Sequence, residues 1–544
     1  STWTVEADGD SALQPATGAR LRVTGANAVV LEIPVSGTDL VIPIEVPDSC
    51  ADGGVPVIEL GAASEAMSKL VALAAAGDLP TVTDGAATID FEFRAEDAAD
   101  HAAITADSLP VGLSALYGDE QLAVPDAFVG LCWPASFAVV GAATTAEGRP
   151  VVEGMLDLVH LDHAIELAAN PTPGAYRATA RLEDVTATDI GTVVTVGIDV
   201  RAPGADAPAV VMTERFAIRG RTGEAELADP QPAGGARGET ATETPRKRVR
   251  QAVVNAPQDM SGFAAVSGDH NPIHTSQVAA SLAGLPGPIV HGMWLSAAAQ
   301  QVASASNGDV MHRKIRGWTT RFLGMVLPGD EVQFTVERVG IDRGGELLEV
   351  TARVGDDLVM AASAVAFPAV TAYVFPGQGI QGKGMGLNQR SRSKAAREVW
   401  DAADEHTREN LGFSILAVVR DNPLSIRANG TLYTHPDGVL YLTEFTQVAM
   451  ATVACAQLAE LTEIGARVDD PIIAGHSVGE YNALASAGVL PLGTILETVF
   501  HRGRIMQQLV PRDEQGRSPY AMAALRPELF DVDDADIADW VEGN

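Results

Sequence analysis

Apolar positions along this chain recur with two periods, and each change of period marks an element boundary. Arg20–Val23, Ala28–Ile33 and Leu40–Val46 alternate and predict strands, Ala63 to Ala75 carries a helical apolar stripe, and Ala87–Phe93 returns to period two. Pro125 to Ala142, with Cys132, Trp133 and Phe137, is too long an apolar stretch for a strand. It predicts a buried helix that Pro134 must kink. Period-two runs follow at 151–159, 176–182, 193–200 and 209–218. The same order returns downstream: a short helix near 276–283, a longer one from about 293 to 304, then strands at 315–322, 331–338, 347–354 and 358–367. Between the two series, Thr222 to Thr244 is rich in Gly, Ala, Pro, Glu and Thr, and the basic run Arg246–Arg250 follows. Such composition buries too little surface to offset its ordering entropy, which predicts a mobile linker over 222–250 and a solvated charge run at its end.

Length and charge narrow the picture. A chain of 544 residues has room for three or four domains, and 46% hydrophobic against 20% charged residues is ordinary globular composition. With 71 acidic and 37 basic residues the net charge is −34, which suits neither nucleic acid nor an anionic membrane. Cys50, Cys132 and Cys455 are far apart, so no disulfide framework or zinc site is expected. They read as small buried hydrophobes, and the compartment as a reducing cytoplasm. No uninterrupted apolar run reaches the roughly 18–20 residues of a membrane span, and the sequence shows no signal peptide.

Chemistry enters with Ser267-Gly-Asp-His-Asn-Pro-Ile-His274. A carboxylate (Asp269) and an imidazole (His274) on either side of a proline-stiffened turn can move a proton and a hydroxyl together. The run, with Gly287-Pro-Ile-Val-His-Gly-Met293, resembles the signature of MaoC-like hydratases and dehydratases. These are hot-dog enzymes that act on (3R)-hydroxyacyl and trans-2-enoyl thioesters. The resemblance implies that Asp269 and His274 are the catalytic pair, with no metal. Asn271 would fix either the turn or the catalytic water, and the Gly292 N–H would polarise the thioester carbonyl. His291 is expected to be supporting or structural. The upstream unit lacks this motif. Its His160-Leu-Asp-His163 is expected to be structural, with His160 and Asp162 on one strand face and His163 on the other. His312–Arg316 with Arg321 is either a docking patch for an acyl carrier protein or an exposed strand of alternating charge.

A second constellation lies downstream. Gly475-His-Ser-Val-Gly-Glu480 follows an apolar run and precedes a helical one, the context in which a strained elbow exposes a serine hydroxyl. Together with Val374-Phe-Pro-Gly-Gln-Gly379 it is similar to the malonyl/acyl-CoA:ACP transferases. That likeness implies Ser477 as nucleophile, the N–H groups of Val478 and Gln378 as oxyanion donors, and Arg502 as the clamp on a malonyl carboxylate. Only His501 follows Ser477, inside the arginine motif, so the general base is expected to be missing. The chain then reads as a piece of a longer polypeptide, without transferase turnover by itself.

The two motifs in this order resemble a stretch of fungal and actinobacterial type I fatty acid synthases, the bacterial ones above all. The expected fold is tandem, pseudo-dimeric α+β hot-dog domains followed by a partial α/β acyltransferase domain. The expected division is 1–115 as a hot-dog-like accessory region, 116–221 as a non-catalytic hot-dog that shapes the acyl tunnel, 222–250 as linker, 251–370 as the catalytic hot-dog, and 371–544 as the transferase part. The function implied is dehydration of (3R)-hydroxyacyl-ACP in fatty acid biosynthesis. The alternatives are an (R)-specific enoyl-CoA hydratase and a structural segment of a megasynthase. No tightly bound cofactor is expected, only the phosphopantetheine of ACP or coenzyme A as carrier. Partners would be an acyl carrier domain, acyl-CoA or malonyl-CoA, and other synthase domains in an oligomer.

Overall fold

A computed structural model describes residues 4–5, 11–15, 17–49, 53–58, 60–75, 77–106, 124–169, 171–233, 241–305 and 313–511, which fall into two units, 1–369 and 370–544. In the first unit, strands with alternating burial join into one ten-stranded antiparallel sheet. Its upstream half is β7 (Ala86–Phe93), β8 (Leu158–Leu167), β9 (Gly174–Thr188), β10 (Gly191–Arg201) and β11 (Val210–Arg219). The downstream half is β12 (Thr242–Asn255), β13 (Ile315–Phe322), β14 (Glu331–Asp342), β15 (Gly345–Val354) and β16 (Asp357–Ala366). From the middle outwards one half runs β8-β11-β10-β9-β7 and the other β13-β16-β15-β14-β12, so the two repeat one topology. They meet where β8 pairs with β13, from Gly317↔Glu166 to Arg321↔Asp162. A single chain thereby forms the continuous sheet that two hot-dog protomers would otherwise share.

Each half wraps an apolar helix. Val129–Ala142 buries Cys132, Trp133 and Phe137, and in Gly292–Ser304 every residue from Met293 onward is buried. By length and hydropathy Pro125–Ala142 is apolar enough to cross a membrane, but here it forms the core of its half. The helix runs through Pro134 without interruption. Proline's missing N–H removes the bond that the Gly130 carbonyl would otherwise accept, and Gly130 is where the downstream half docks.

Several boundaries differ from the pattern reading. β7 pairs along its whole length with β9, so the upstream hot-dog already includes residues from 86 on. Ahead of it lies a six-stranded antiparallel meander, β1 (Thr4–Val5) to β6 (Val57–Ile58), and α1 (Leu60–Ala74) in place of a hot-dog-like region. Residues 151–157 form a 3-10 segment, not a strand. Their apolar residues Val151, Val152 and Met155 are buried against the helical layer, which alternation alone does not distinguish from a strand.

The linker expectation is corrected most. Residues 222–233 are pinned to the sheet: Gly223 N–H donates to the Thr188 carbonyl, Arg215 to the Ala228 carbonyl, and Ala233 N–H to Ser363 Oγ. From Thr242 the chain is already edge strand β12, because paired ladder bonds need no large apolar side chains. Within the basic run, Arg246 pairs with Glu337 and Glu349 at 2.6 Å each, while Arg250 is buried and donates to the Val302 carbonyl.

In the second unit the short strands β17 (Ala372–Phe375) and β18 (Ile472–Gly475) pair in parallel. The buried helix Thr443–Glu463 packs against Leu492–Leu509, and Trp400, Phe445 and Phe500 centre the core. This is the strand–helix layering of an α/β domain.

Candidate active sites

The turn that carries the first motif leaves helix Ser261–Ser267 through Gly268, which is left-handed at φ +69°. A short 3-10 turn, Pro272–His274, follows. Asp269 Oδ1 accepts the Asn271 N–H at 3.0 Å, and Asn271 Oδ1 accepts that of Ile273 at 3.4 Å. Asn271 therefore fixes the turn. Two elements from outside the catalytic half clamp it. The His270 N–H donates to the Ala74 carbonyl at the end of α1. A Cβ at Gly130 would stand 1.9 Å from the Ser267 carbonyl oxygen, so only glycine lets the upstream helix and the turn meet.

His274 donates its Nδ1–H to the Ile289 carbonyl at 2.9 Å, since a carbonyl can only accept, and Nε2 is left with a lone pair. Burial lowers the pKa of this imidazole, against the opposing pull of Asp269 and of the Ile289 bond. His291 donates Nε2–H to the Asp269 carbonyl at 3.0 Å, and its ring stacks on His274 with centroids 3.7 Å apart. Burial and the adjacent His274 hold His291 well below the ordinary imidazole range. Asp269, His274 and His291 are close enough to suggest a metal site. The donor set fits one poorly, because an ion must lie in the plane of each imidazole it binds, and these planes are stacked.

Asp269, Asn271, His274 and Gly292 line one cavity of about 260 Å³. Gly292 opens its helix, where the first N–H groups have no intrahelical acceptor. A Cβ there would press on the Phe322 ring at 3.2 Å. The other wall comes from the upstream half: Trp133, Phe137, Leu158, His160 and Phe216. The motif-bearing half thus supplies the acid–base groups, and the two halves share the apolar wall.

His160 and His163 do not point apart as strand alternation predicts. The ladder between β8 and β11 slips at Arg215/Phe216 and leaves Leu161 as an extra residue. Both histidines thereby reach the buried Glu214, His160 Nε2 at 2.8 Å and His163 Nδ1 at 2.6 Å. His163 Nε2 faces Asp126 at 3.1 Å. Nothing in the sequence pointed to Glu214 or Asp126, because neither lies in a motif. The proposed docking patch also changes. Arg313 pairs with Glu346, Arg316 with Asp342 and Arg321 with Asp229, while His312 lies outside the described residues.

In the second unit Ser477 sits between β18 and the helix Val478–Ser486 at φ 58°, ψ −114°, a strained turn for a non-glycine residue. A Cβ at Gly475 would lie 2.1 Å from the Gly479 carbonyl oxygen, so the elbow closes only on glycine. Arg502 Nη2 donates to Ser477 Oγ at 3.1 Å, and its guanidinium lies 5.5 Å from the Tyr481 ring centre. Nη1 of Arg502 is buried without a partner. Gln378 Oε1 accepts from Gln447 at 3.1 Å, and Val478, which opens the helix, is buried. Among the described residues no imidazole hydrogen-bonds Ser477.

Comparison with known proteins agrees with this division. Residues 237–360 match the family described as MaoC like domain, 372–536 the acyl transferase domain, and 1–77 the fatty acid synthase SBS domain. The fatty acid synthase subunit beta of Saccharomyces cerevisiae is 37% identical over 313 residues, 50% of this chain and 15% of the relative. That of Schizosaccharomyces pombe is 34% identical over 328 residues, 52% of this chain and 16% of the relative. The matched stretch is thus a small part of each relative's length. The crystal structure of HtdX from Mycobacterium tuberculosis overlaps 51% of this chain and 98% of its own, with 21% identity and a TM-score of 0.35. The chain is thus similar to a stretch of fungal fatty acid synthase β subunits, with hot-dog domains that precede an acyltransferase domain.

Proposed function

We propose that this β-subunit-like segment dehydrates (3R)-hydroxyacyl thioesters to trans-2-enoyl thioesters in fatty acid biosynthesis. The observation that carries the reading is the fixed tautomer of His274, with Nδ1–H tied to Ile289 and Nε2 free, in the cavity that Asp269 also lines. His274 Nε2 takes the α-proton, the Cα–Cβ double bond forms as the C3–O bond breaks, and Asp269 protonates the departing hydroxyl to give water. Exchange through that water returns the proton from His274 to Asp269. The Gly292 N–H donates a hydrogen bond to the thioester oxygen as negative charge develops on it. The carrier is the phosphopantetheine of an acyl carrier domain or coenzyme A, and the surroundings are other synthase domains in a cytoplasmic oligomer.

Ser477, Arg502, Gln378 and Val478 make the acyltransferase part. An unpartnered guanidinium nitrogen beside the nucleophile suits a malonyl carboxylate. The finer assignment, to an actinobacterial rather than a fungal synthase, rests on the motif resemblance alone, since the relatives named above are fungal.

The reverse reaction, enoyl-CoA hydration, uses the same residues, and the acyltransferase domain on the same chain favours synthesis. The test is to incubate the protein with (3R)- and with (3S)-3-hydroxybutyryl-CoA and to follow enoyl-thioester absorbance. The (3R) isomer alone is expected to give the signal. Silence from both, with soluble folded protein, leaves a structural segment that depends on the rest of its synthase.

A further inference from the structure

The motif-free half carries a buried charge cluster that the dehydration chemistry does not use, and one member of it reaches the acyl cavity. Glu214 and His163 are fully buried, and Asp126 is nearly so. Both nitrogens of His163 face carboxylate oxygens, so both are donors and the ring is an imidazolium. Gln300, from the helix that begins at Gly292, donates to Asp126 Oδ1 at 2.5 Å. Glu214 has one oxygen on His163 and the other on His160, whose Nε2–H it accepts. Removing one member of such a cluster leaves another charge buried without compensation, so the cluster holds His160 in one orientation.

His160 lines the cavity amid aromatic rings: Phe216 stacks at 4.8 Å, Phe322 lies at 5.1 Å and Trp133 at 6.0 Å. With Nε2 committed to Glu214, Nδ1 is a polar point in an apolar wall. Its place follows from Phe322, which lies beside Gly292 on one side and beside His160 on the other. The Phe322 ring thus stands between Gly292 and His160 in the lining of the cavity.

We propose that His160, fixed by Glu214, is a specificity-determining residue that favours acyl chains ending short of it. A short chain leaves Nδ1 in contact with solvent. A longer saturated chain covers it with methylenes and leaves a hydrogen-bonding nitrogen unpaired, which lowers kcat/KM on the order of tenfold. This inference rests on the dehydratase reading.

The experiment measures hydration of crotonyl-CoA and trans-2-octenoyl-CoA by the full chain and by His160→Phe, which keeps the ring and removes its nitrogens. The octenoyl-to-crotonyl ratio of kcat/KM should rise about tenfold in the variant. An unchanged ratio, with both substrates altered alike, overturns the inference. A test on the wild-type protein does not depend on how the variant folds: an octenoyl chain with a terminal hydroxyl should be hydrated faster than plain octenoyl. Equal rates overturn the inference while leaving the dehydratase reading intact. A wild type silent on every thioester would instead remove the dehydratase reading itself.

Discussion

His274 owes its role to one hydrogen bond, the Nδ1–H to the Ile289 carbonyl, which selects the tautomer with a free Nε2. Burial lowers its pKa below the ordinary 6.5, so the neutral base persists as pH falls through that value. The acid limb of kcat/KM for (3R)-3-hydroxybutyryl-CoA dehydration, in which neutral His274 is the base, is accordingly expected below pH 6.5. A limb centred above 6.5 would mean that the charged form is favoured and that the environment described here is wrong. Much of this site is readable from the chain, because Asp269, Asn271 and His274 belong to one local turn whose chemistry travels with its spacing. Gly130 and Glu214 are not readable in the same way. Each acts through a partner distant in sequence, Ser267 for one and His160 with His163 for the other.

At the scale of elements, the slip between β8 and β11 decides what the upstream half contains. Strict alternation separates His160 from His163, whereas one extra residue brings both to Glu214. Burial opposes the charge on His163, yet Glu214 and Asp126 more than offset it and push its pKa up to about 10. A raised histidine pKa contributes stability that is fully present below the unfolded value near 6.5 and is lost as pH rises through about 10. Melting temperature should therefore fall between pH 7 and 10 in the wild type. His163→Gln should melt lower at pH 7 and show a shallower alkaline slope, and equal slopes would contradict the paired imidazolium. Strand periods were legible from Ile315 to Ala366 although the ladders shift at Ile315/Gly317, Arg338/Gly340 and Ala352/Arg353, because burial still largely alternates along β14 and β15. Residues 151–157 misled because a buried 3-10 segment can show the same apolar spacing as a strand.

At the scale of the molecule, the two hot-dog halves of the first unit share one ten-stranded sheet, and their seam is the β8–β13 pairing. Composition marked 222–250 as a tether, but backbone bonds to Thr188 and Ser363 and the ladder of β12 are invisible to composition. The covalent connection should then matter little once the unit has folded. A protease site inserted within 234–240 and cut in the purified protein is expected to leave both pieces co-eluting, with hydration activity retained. Separation of the pieces would show that the chain connection, not the sheet, holds the halves together. The central claim is that Asp269 and His274, in a cavity that both halves line, carry out hydro-lyase chemistry. It is tested most directly by following loss of enoyl absorbance from crotonyl-CoA with wild type, Asp269→Asn and His274→Ala, each first shown to be folded. The account predicts loss with the wild type and at least a hundredfold slower loss with either variant, on the order of what a positioned acid or base contributes. Variants that turn over like the wild type would contradict it.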